Sequence, residues 1–316
     1  MLFNYIRRTV VICASTRNLS LCSYLPSEFN NVVVIGAGLM GSGIAQVAAQ
    51  SGYNVTMVDV ANDVLSKSMK TIDNNLRKVA KKLHKENQTE QEQFVTKALQ
   101  NLATDINLAS AVKDANIVIE AVVEDLKIKH KLLEEVEASA PSTTVIATNT
   151  SSMKLNDIAS VLMKKDRFGG THFFNPVPVM KLVEIIRGPD TSEKTLQLLT
   201  DFGKSLGKTT VTCKDTNGFI VNRLLVPYQM EAIRLLERGD ASAEDIDIAM
   251  KLGAGYPMGP LELADFIGLD TAKFILDVFH KAEPSNPLMK PIPLLTKMVA
   301  DGKLGRKSGE GFYKYK

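Results

Sequence analysis

From Asn31 to Ile35 the chain is a short run rich in β-branched residues, and it leads straight into Gly36-Ala37-Gly38-Leu39-Met40-Gly41 and then into Ser42 to Ser51, a stretch of helical character. Strand, glycine turn and helix in that order admit few folds, because each glycine answers a separate geometric demand. Gly36 permits the tight turn, Gly38 lets a pyrophosphate approach the backbone, and Gly41 lets the helix pack closely on the strand. A second run, Asn54 to Val58, ends in Asp59, where a carboxylate can hold both hydroxyls of a ribose. Val60 and Ala61 follow, with no arginine to receive a 2′-phosphate. The dinucleotide expected here is NAD rather than NADP. The competing reading keeps the glycines as a structural turn only.

Further runs extend the sheet. Ile117 to Val123 is apolar except for Glu120 and leads into Glu124 and a helix carrying Lys127 and Lys129; Thr144 to Thr148 is another such run. Continuous apolar runs alternating with helices predict a buried parallel sheet, which binds ligands at the carboxyl ends of its strands. Asn149-Thr150-Ser151-Ser152 falls at such an end. Ser151 could donate a hydrogen bond to a substrate oxygen, or the polar cluster could simply turn the chain or cap the next helix. Between the second and third runs lies an excursion from about Asn62 to Leu108, too long for a plain loop. Met69, Ile72, Leu76, Val79 and Leu83 in it share one helical face. Arg77, Lys78, Lys81, Lys82 and Lys85 gather on the others. Spacing alone favours a solvated face over a landing site for a phosphorylated substrate tail.

One segment sets chemistry among hydrocarbon: Thr171 to Ile186 holds His172 and Glu184 in an otherwise apolar, proline-punctuated stretch. Together they could be a general base and its orienter; separately they could lie at the surface. Phe168 to Phe174, Leu182 to Ile186 and Thr209 to Cys213 read as strands completing the first domain. After Cys213 the pattern turns helical. Asp215-Thr216 can cap a helix beginning near Gly218, with Asn222 and Arg223 in its first turns. Ser242 with Asp245 forms a capping box for Glu244 to Leu252, Gly253 to Pro260 is a link, and Ile267 to Phe279 is a further helix. Leu261, Leu263, Phe266, Ile267 and Leu269 look exposed, which points to a homodimer formed through this region. The expected architecture is a Rossmann-type α/β NAD-binding domain, residues 28–213, with a long helical excursion, and a smaller all-α domain, residues 214–316.

Bulk properties exclude several classes. No run approaches the roughly 20 apolar residues of a membrane span. Residues 1–27 contain Arg7, Arg8 and Arg17 and no acidic residue, a pattern resembling a mitochondrial transit peptide and implying the matrix as destination. Without it the 38 basic residues fall to 35, equal to the 35 acidic ones, so the formal charge of +3 gives no reason to expect nucleic acid. Cys13 and Cys22 lie in this leader, which leaves Cys213 without a partner for an intramolecular disulfide. His84, His130, His172 and His280 have no second histidine or cysteine at ligand spacing, so no metal is expected.

Six motifs, in order, carry a resemblance. The glycine turn, the Asn149-Thr150-Ser151-Ser152 turn, His172-Phe173-Phe174-Asn175-Pro176, Gly218-Phe219-Ile220-Val221-Asn222-Arg223, Gly255-Tyr256-Pro257-Met258-Gly259-Pro260 and the tail from Gly305 to Tyr313 together resemble the L-3-hydroxyacyl-CoA dehydrogenase family, in its single-function mitochondrial branch of fatty-acid β-oxidation. The resemblance runs from about Asn30 to the last residue. It implies NAD-dependent oxidation of (S)-3-hydroxyacyl-CoA to 3-oxoacyl-CoA, with an acyl-CoA as partner. His172 then matches the catalytic base and Glu184 its partner, while Ser151 and Asn222 match positions at the substrate 3-oxygen. Gly36 to Gly41, Asp59, Glu124, Lys129, Ser151, Asn175 and Lys307 match cofactor contacts. Lys82, Asn75 and Ser151 match contacts to the coenzyme A substrate, which turns the basic helix from a solvated face into a binding one. Because Asn222 comes from the helical domain, closure of the two domains would assemble the site. The chain departs from the family at Asn75, where a serine can stand, and at Asn217, where a proline commonly precedes the helix glycine. Two rivals remain at this level: a dehydrogenase of a free β-hydroxy acid, for which a lysine base would be expected, and a non-enzymatic NAD-binding relative of the lens-crystallin kind.

Overall fold

The computed structural model describes residues 29–315. The leader, with Cys13 and Cys22, lies outside the described residues. Eight strands form one sheet: β1 (Asn31–Ile35), β2 (Asn54–Val58), β3 (Leu102–Asp105), β4 (Ile117–Glu120), β5 (Val145–Thr148), β6 (Phe168–Phe173), β7 (Leu182–Arg187) and β8 (Thr209–Lys214), in the order β3-β2-β1-β4-β5-β6-β7-β8. Only the β6–β7 pair is antiparallel among these. The strand order reverses between β1 and β4, which opens a crevice at their carboxyl ends.

The sheet is buried on both faces because alternate residues of its strands are apolar on both. Val32 and Val34 pack into one layer with Ile44, Ile72, Leu76, Val95 and Phe202, whereas Val33 and Ile35 pack into the other with Leu133, Val136, Leu155 and Ile158. The first layer is covered by α1 (Leu39–Gln50), α2 (Asn62–Leu83), α3 (Gln88–Gln100) and, past the later strands, α7 (Glu193–Ser205). The second is covered by α4 (Leu108–Val112), α5 (Leu126–Ser139) and α6 (Leu155–Ile158). The helical region comprises α8 (Val221–Glu237), α9 (Ala243–Gly253), α10 (Pro260–Ile267), α11 (Leu269–Ala282) and α12 (Pro293–Ala300), around a separate core that includes Met230, Ile233, Leu261, Leu269, Leu276 and Leu295.

Several expectations are refined. The long excursion is two packed helices followed by the edge strand β3, whose Leu-Ala-Thr-Asp sequence shows little alternation to read. On α2, Ile72 and Leu76 are buried as the spacing predicts, but Leu83 is 62% exposed at the helix end. One half of the capping box forms, Ser242 Oγ accepting the Asp245 N–H at 3.1 Å; in place of the other half, the Ser242 hydroxyl donates to the Asp245 carboxylate at 2.7 Å. Leu261 and Leu269 are core residues rather than surface ones, because Pro260 starts α10 within the supposed link. Gly268, at φ 104, separates α10 from α11. Asp215 does not cap the helix after it; its carboxylate accepts the N–H groups of Leu155 and Asn156 at 2.9 and 3.0 Å and so caps α6. The helix itself begins at Val221, not near Gly218. No described helix is long and apolar enough to cross a membrane.

Candidate active site

Parallel strands bring their carboxyl ends to one edge, and the singled-out residues collect there. Gly36 follows β1, Asp59 follows β2, Glu124 follows β4, Ser151 follows β5 and His172 lies near the end of β6. Gly36 has φ +99, and a Cβ on it would lie 2.6 Å from the Ala121 carbonyl oxygen. A Cβ on Gly41 would overlap the Gly36 carbonyl, whereas one on Gly38 would meet nothing within 4 Å. The three glycines therefore make a tight turn, a close helix contact and an open approach to backbone. Gly38 caps α1 without a side-chain hydrogen bond, so the first N–H groups of the helix are left for an anion. Asp59 Oδ2 accepts the Ala37 N–H at 2.8 Å, which aims the carboxylate across the turn. This cradle fits a dinucleotide pyrophosphate and ribose.

His172 and Glu184 are register partners across the antiparallel β6–β7 pair. That pairing sets side chains twelve positions apart in sequence directly opposite one another. His172 Nδ1 lies 2.7 Å from Glu184 Oε2, and the two side chains are 6% and 0% exposed. The second oxygen of Glu184 accepts the N–H groups of Ile220 at 3.0 Å and Val221 at 2.8 Å. The carboxylate is thus the N-terminal cap of α8, supplied from a strand rather than from the preceding turn. The chain enters α8 through Gly218 at φ +77 and Phe219 at φ +54. A phenylalanine in that region is strained, and the turn seats its ring 5.4 Å from the imidazole, opposite Phe174 at 4.5 Å. Asn222 stands in the first turn of α8, partly buried, tied to the same carboxylate through the helix start.

The loop between β6 and β7 carries Asn175, which is exposed. Lys208 grips this loop, its ammonium donating to the carbonyls of Val177 at 2.6 Å and Met180 at 2.8 Å. Burial holds the Lys208 amine below its usual value. Nothing near Lys208 in sequence signals this role. Asn149 Oδ1 accepts the Phe173 N–H at 2.9 Å and ties the turn after β5 to the strand bearing His172.

Glu124 is exposed, and its Oε1 accepts the Ser151 N–H and the Thr150 hydroxyl, each at 2.9 Å. Lys129 is 1% exposed and lies 2.7 Å from Glu120 and 3.4 Å from Glu124. Its ammonium is therefore enclosed by carboxylates. Lys307 is exposed and pairs with Asp270 at 2.6 Å; this ammonium holds the Asp270 carboxyl below its ordinary value. On α2, Lys82 is exposed and Asn75 partly buried. Cys213 is partly buried, and burial, with Glu184 and Asp215 nearby, pushes its thiol up to about 11. Such surroundings favour the protonated thiol over the thiolate.

The family model for the 3-hydroxyacyl-CoA dehydrogenase NAD binding domain matches residues 31–216, and that for the 3-hydroxyacyl-CoA dehydrogenase C-terminal domain matches residues 218–315. The chain belongs to the 3-hydroxyacyl-CoA dehydrogenase family. It is 54% identical to the human mitochondrial hydroxyacyl-coenzyme A dehydrogenase over 312 residues, 99% of each chain. Identity to a probable 3-hydroxyacyl-CoA dehydrogenase of Caenorhabditis elegans is 57% over 303 residues, covering 96% of this chain and 98% of the relative. Among solved structures, the (S)-3-hydroxybutyryl-CoA dehydrogenase of Ralstonia eutropha superposes with a TM-score of 0.85 at 41% identity, covering 91% of this chain and 99% of the other. Membership of this dehydrogenase family accounts for an NAD cradle on this edge of the sheet.

Proposed function

We propose that His172 is the general base in the NAD-dependent oxidation of (S)-3-hydroxyacyl-CoA to 3-oxoacyl-CoA, the reaction this chain's family performs. The buried 2.7 Å contact between His172 Nδ1 and Glu184 carries the assignment of roles. With Nδ1 donating to the carboxylate, the neutral ring presents Nε2 as acceptor for the proton of the 3-hydroxyl. Glu184 then stabilises the imidazolium that forms. NAD supplies the acceptor for the hydride that leaves carbon 3. Gly36, Ala37, Gly38, Leu39, Met40 and Gly41 would hold its pyrophosphate, Asp59 the adenosine ribose, and Glu124, Ser151, Asn175 and Lys307 its nicotinamide end. Lys129 acts there through Glu124, since its own ammonium is enclosed.

Ser151 and Asn222 polarise the oxygen that becomes a ketone. Lys82 and Asn75 on α2 receive the coenzyme A portion. The two domains divide at Cys213, and the helical one forms the contact of a homodimer. With relatives named mitochondrial, the arginine-bearing leader supports import to the matrix. The intact histidine–carboxylate pair argues against a purely structural role, and the pair provides the base that a free-acid dehydrogenase would take from a lysine.

His172→Gln should lower kcat by about 10² to 10⁴, the usual worth of a general base, while NADH binding measured by fluorescence is preserved. Near-normal turnover with acetoacetyl-CoA and NADH would overturn the assignment.

A further inference from the structure

Glu120 is the side chain in this sheet that packing explains least. It ends β4 in register with Ile35 of β1 and Thr148 of β5, at the point where the strand order reverses, and it is fully buried. A bare carboxylate there would cost several kcal/mol in lost solvation, roughly, and a well-packed apolar residue would fill the space without that cost. Instead, donors converge on it. Lys129 approaches its two oxygens at 2.7 and 2.8 Å, the Thr148 hydroxyl at 2.7 Å and the Val122 N–H at 2.8 Å.

What this charge controls is Lys129. The ammonium stands between two carboxylates, hard against Glu120 and 3.4 Å from Glu124. Glu124 spends its oxygens on the turn after β5, accepting from Thr150 and Ser151. Thr150 Oγ1 in turn accepts the Met153 N–H at 3.0 Å, so Glu124 anchors the Thr150–Met153 part of the turn, while Asn149 is held separately at the Phe173 N–H. With the Glu120 carboxylate in place, Lys129 is satisfied from below. With an amide in its place, the ammonium would pull on Glu124 alone, and attraction between charges is stronger in the interior than in water. Glu124 would then move inward and release the turn.

We propose that Glu120 is a positioning residue for the reaction, restraining Lys129 so that Glu124 can set the place of Ser151 beside the substrate oxygen. This rests on the role given to Ser151 above. Glu120→Gln keeps the shape and removes the charge. Its kcat should fall by about 10- to 100-fold, the effect of a small misplacement at a reacting centre, with the KM for acetoacetyl-CoA within about threefold. The double variant Glu120→Gln/Lys129→Met removes the ammonium left unrestrained, and its kcat should rise at least about threefold above that of the single variant, with NADH affinity titrated separately because Lys129 also supports Glu124. A double variant no faster than the single one overturns the proposal, as does a single variant with native kcat. If the single variant does not fold, the double variant decides alone: a kcat at least about threefold above that of Ser151→Ala supports the proposal, and a lower one overturns it. Ser151→Ala is assayed alongside to separate the two claims. Loss of kcat there with none in Glu120→Gln refutes the role of Glu120 only, whereas full kcat in Ser151→Ala refutes the role of Ser151 itself.

Discussion

Glu184 shows how much one side chain can carry. Each of its oxygens has a separate task, one orienting His172 and the other closing the exposed N–H groups of α8. Removing it therefore strands three donors in a buried place. Glu184→Ala should lower the free energy of unfolding by about 3 kcal/mol or more, read from urea denaturation, because each buried donor left unmet costs about 1 to 3 kcal/mol. Glu184→Gln, which retains an acceptor oxygen, should lose less stability yet still lose turnover. Equal stability loss in the two variants would show that the cap contributes nothing. The sequence marked Glu184 as a carboxylate among apolar neighbours, but the cap was hidden in it, since the nearer candidate, Asp215, turns to α6 instead.

At the scale of the element, the turn between β1 and α1 separates binding from packing. Gly38→Ala places a methyl in open space above the helix start and should leave the melting temperature unchanged while weakening NADH binding more than tenfold, a change of about 1.4 kcal/mol or more. Gly41→Ala drives its methyl into the Gly36 carbonyl and should lower the melting temperature as well. Identical behaviour of the two, in calorimetry and in NADH titration, would contradict the division. Strands β1 and β2 were legible to the residue because both are short apolar runs bounded by turn residues. Strand β3 was not, since it lies at the sheet edge with only Leu102 buried. Helix α10 escaped notice because prolines and glycines precede it, and Pro260 there starts a helix rather than breaking one.

Over the whole molecule, the helical domain retains apolar surface that its own core leaves uncovered. Leu252 is 83% exposed, Phe266 61% and Phe274 59%. Such surface accords with the proposed homodimer. On that proposal the native protein sediments at equilibrium with the mass of two chains, and Phe266→Glu with Phe274→Glu should reduce it to one chain's mass, with the fold retained by circular dichroism. An unchanged mass would move the interface elsewhere. The two domains are also joined at the proposed reacting centre, because the helix that bears Asn222 starts on the carboxylate that contacts His172. Any closure must therefore pivot about that cap rather than bring α8 to the site from a distance.

The amino-acid sequence was enough to define the nucleotide cradle, the parallel sheet and the residue types of the proposed reacting pair. These depend on neighbours in the chain: glycines in a turn, apolar runs, and caps three residues ahead. It took the tertiary structure to show that His172 and Glu184 face each other, that Glu184 also starts α8, and that Glu120 meets Lys129 behind the carboxylate that holds the Ser151 turn. Those contacts join different strands and helices, and their strength comes from burial, where an unmatched charge is costly and a matched one fixes its partners in place.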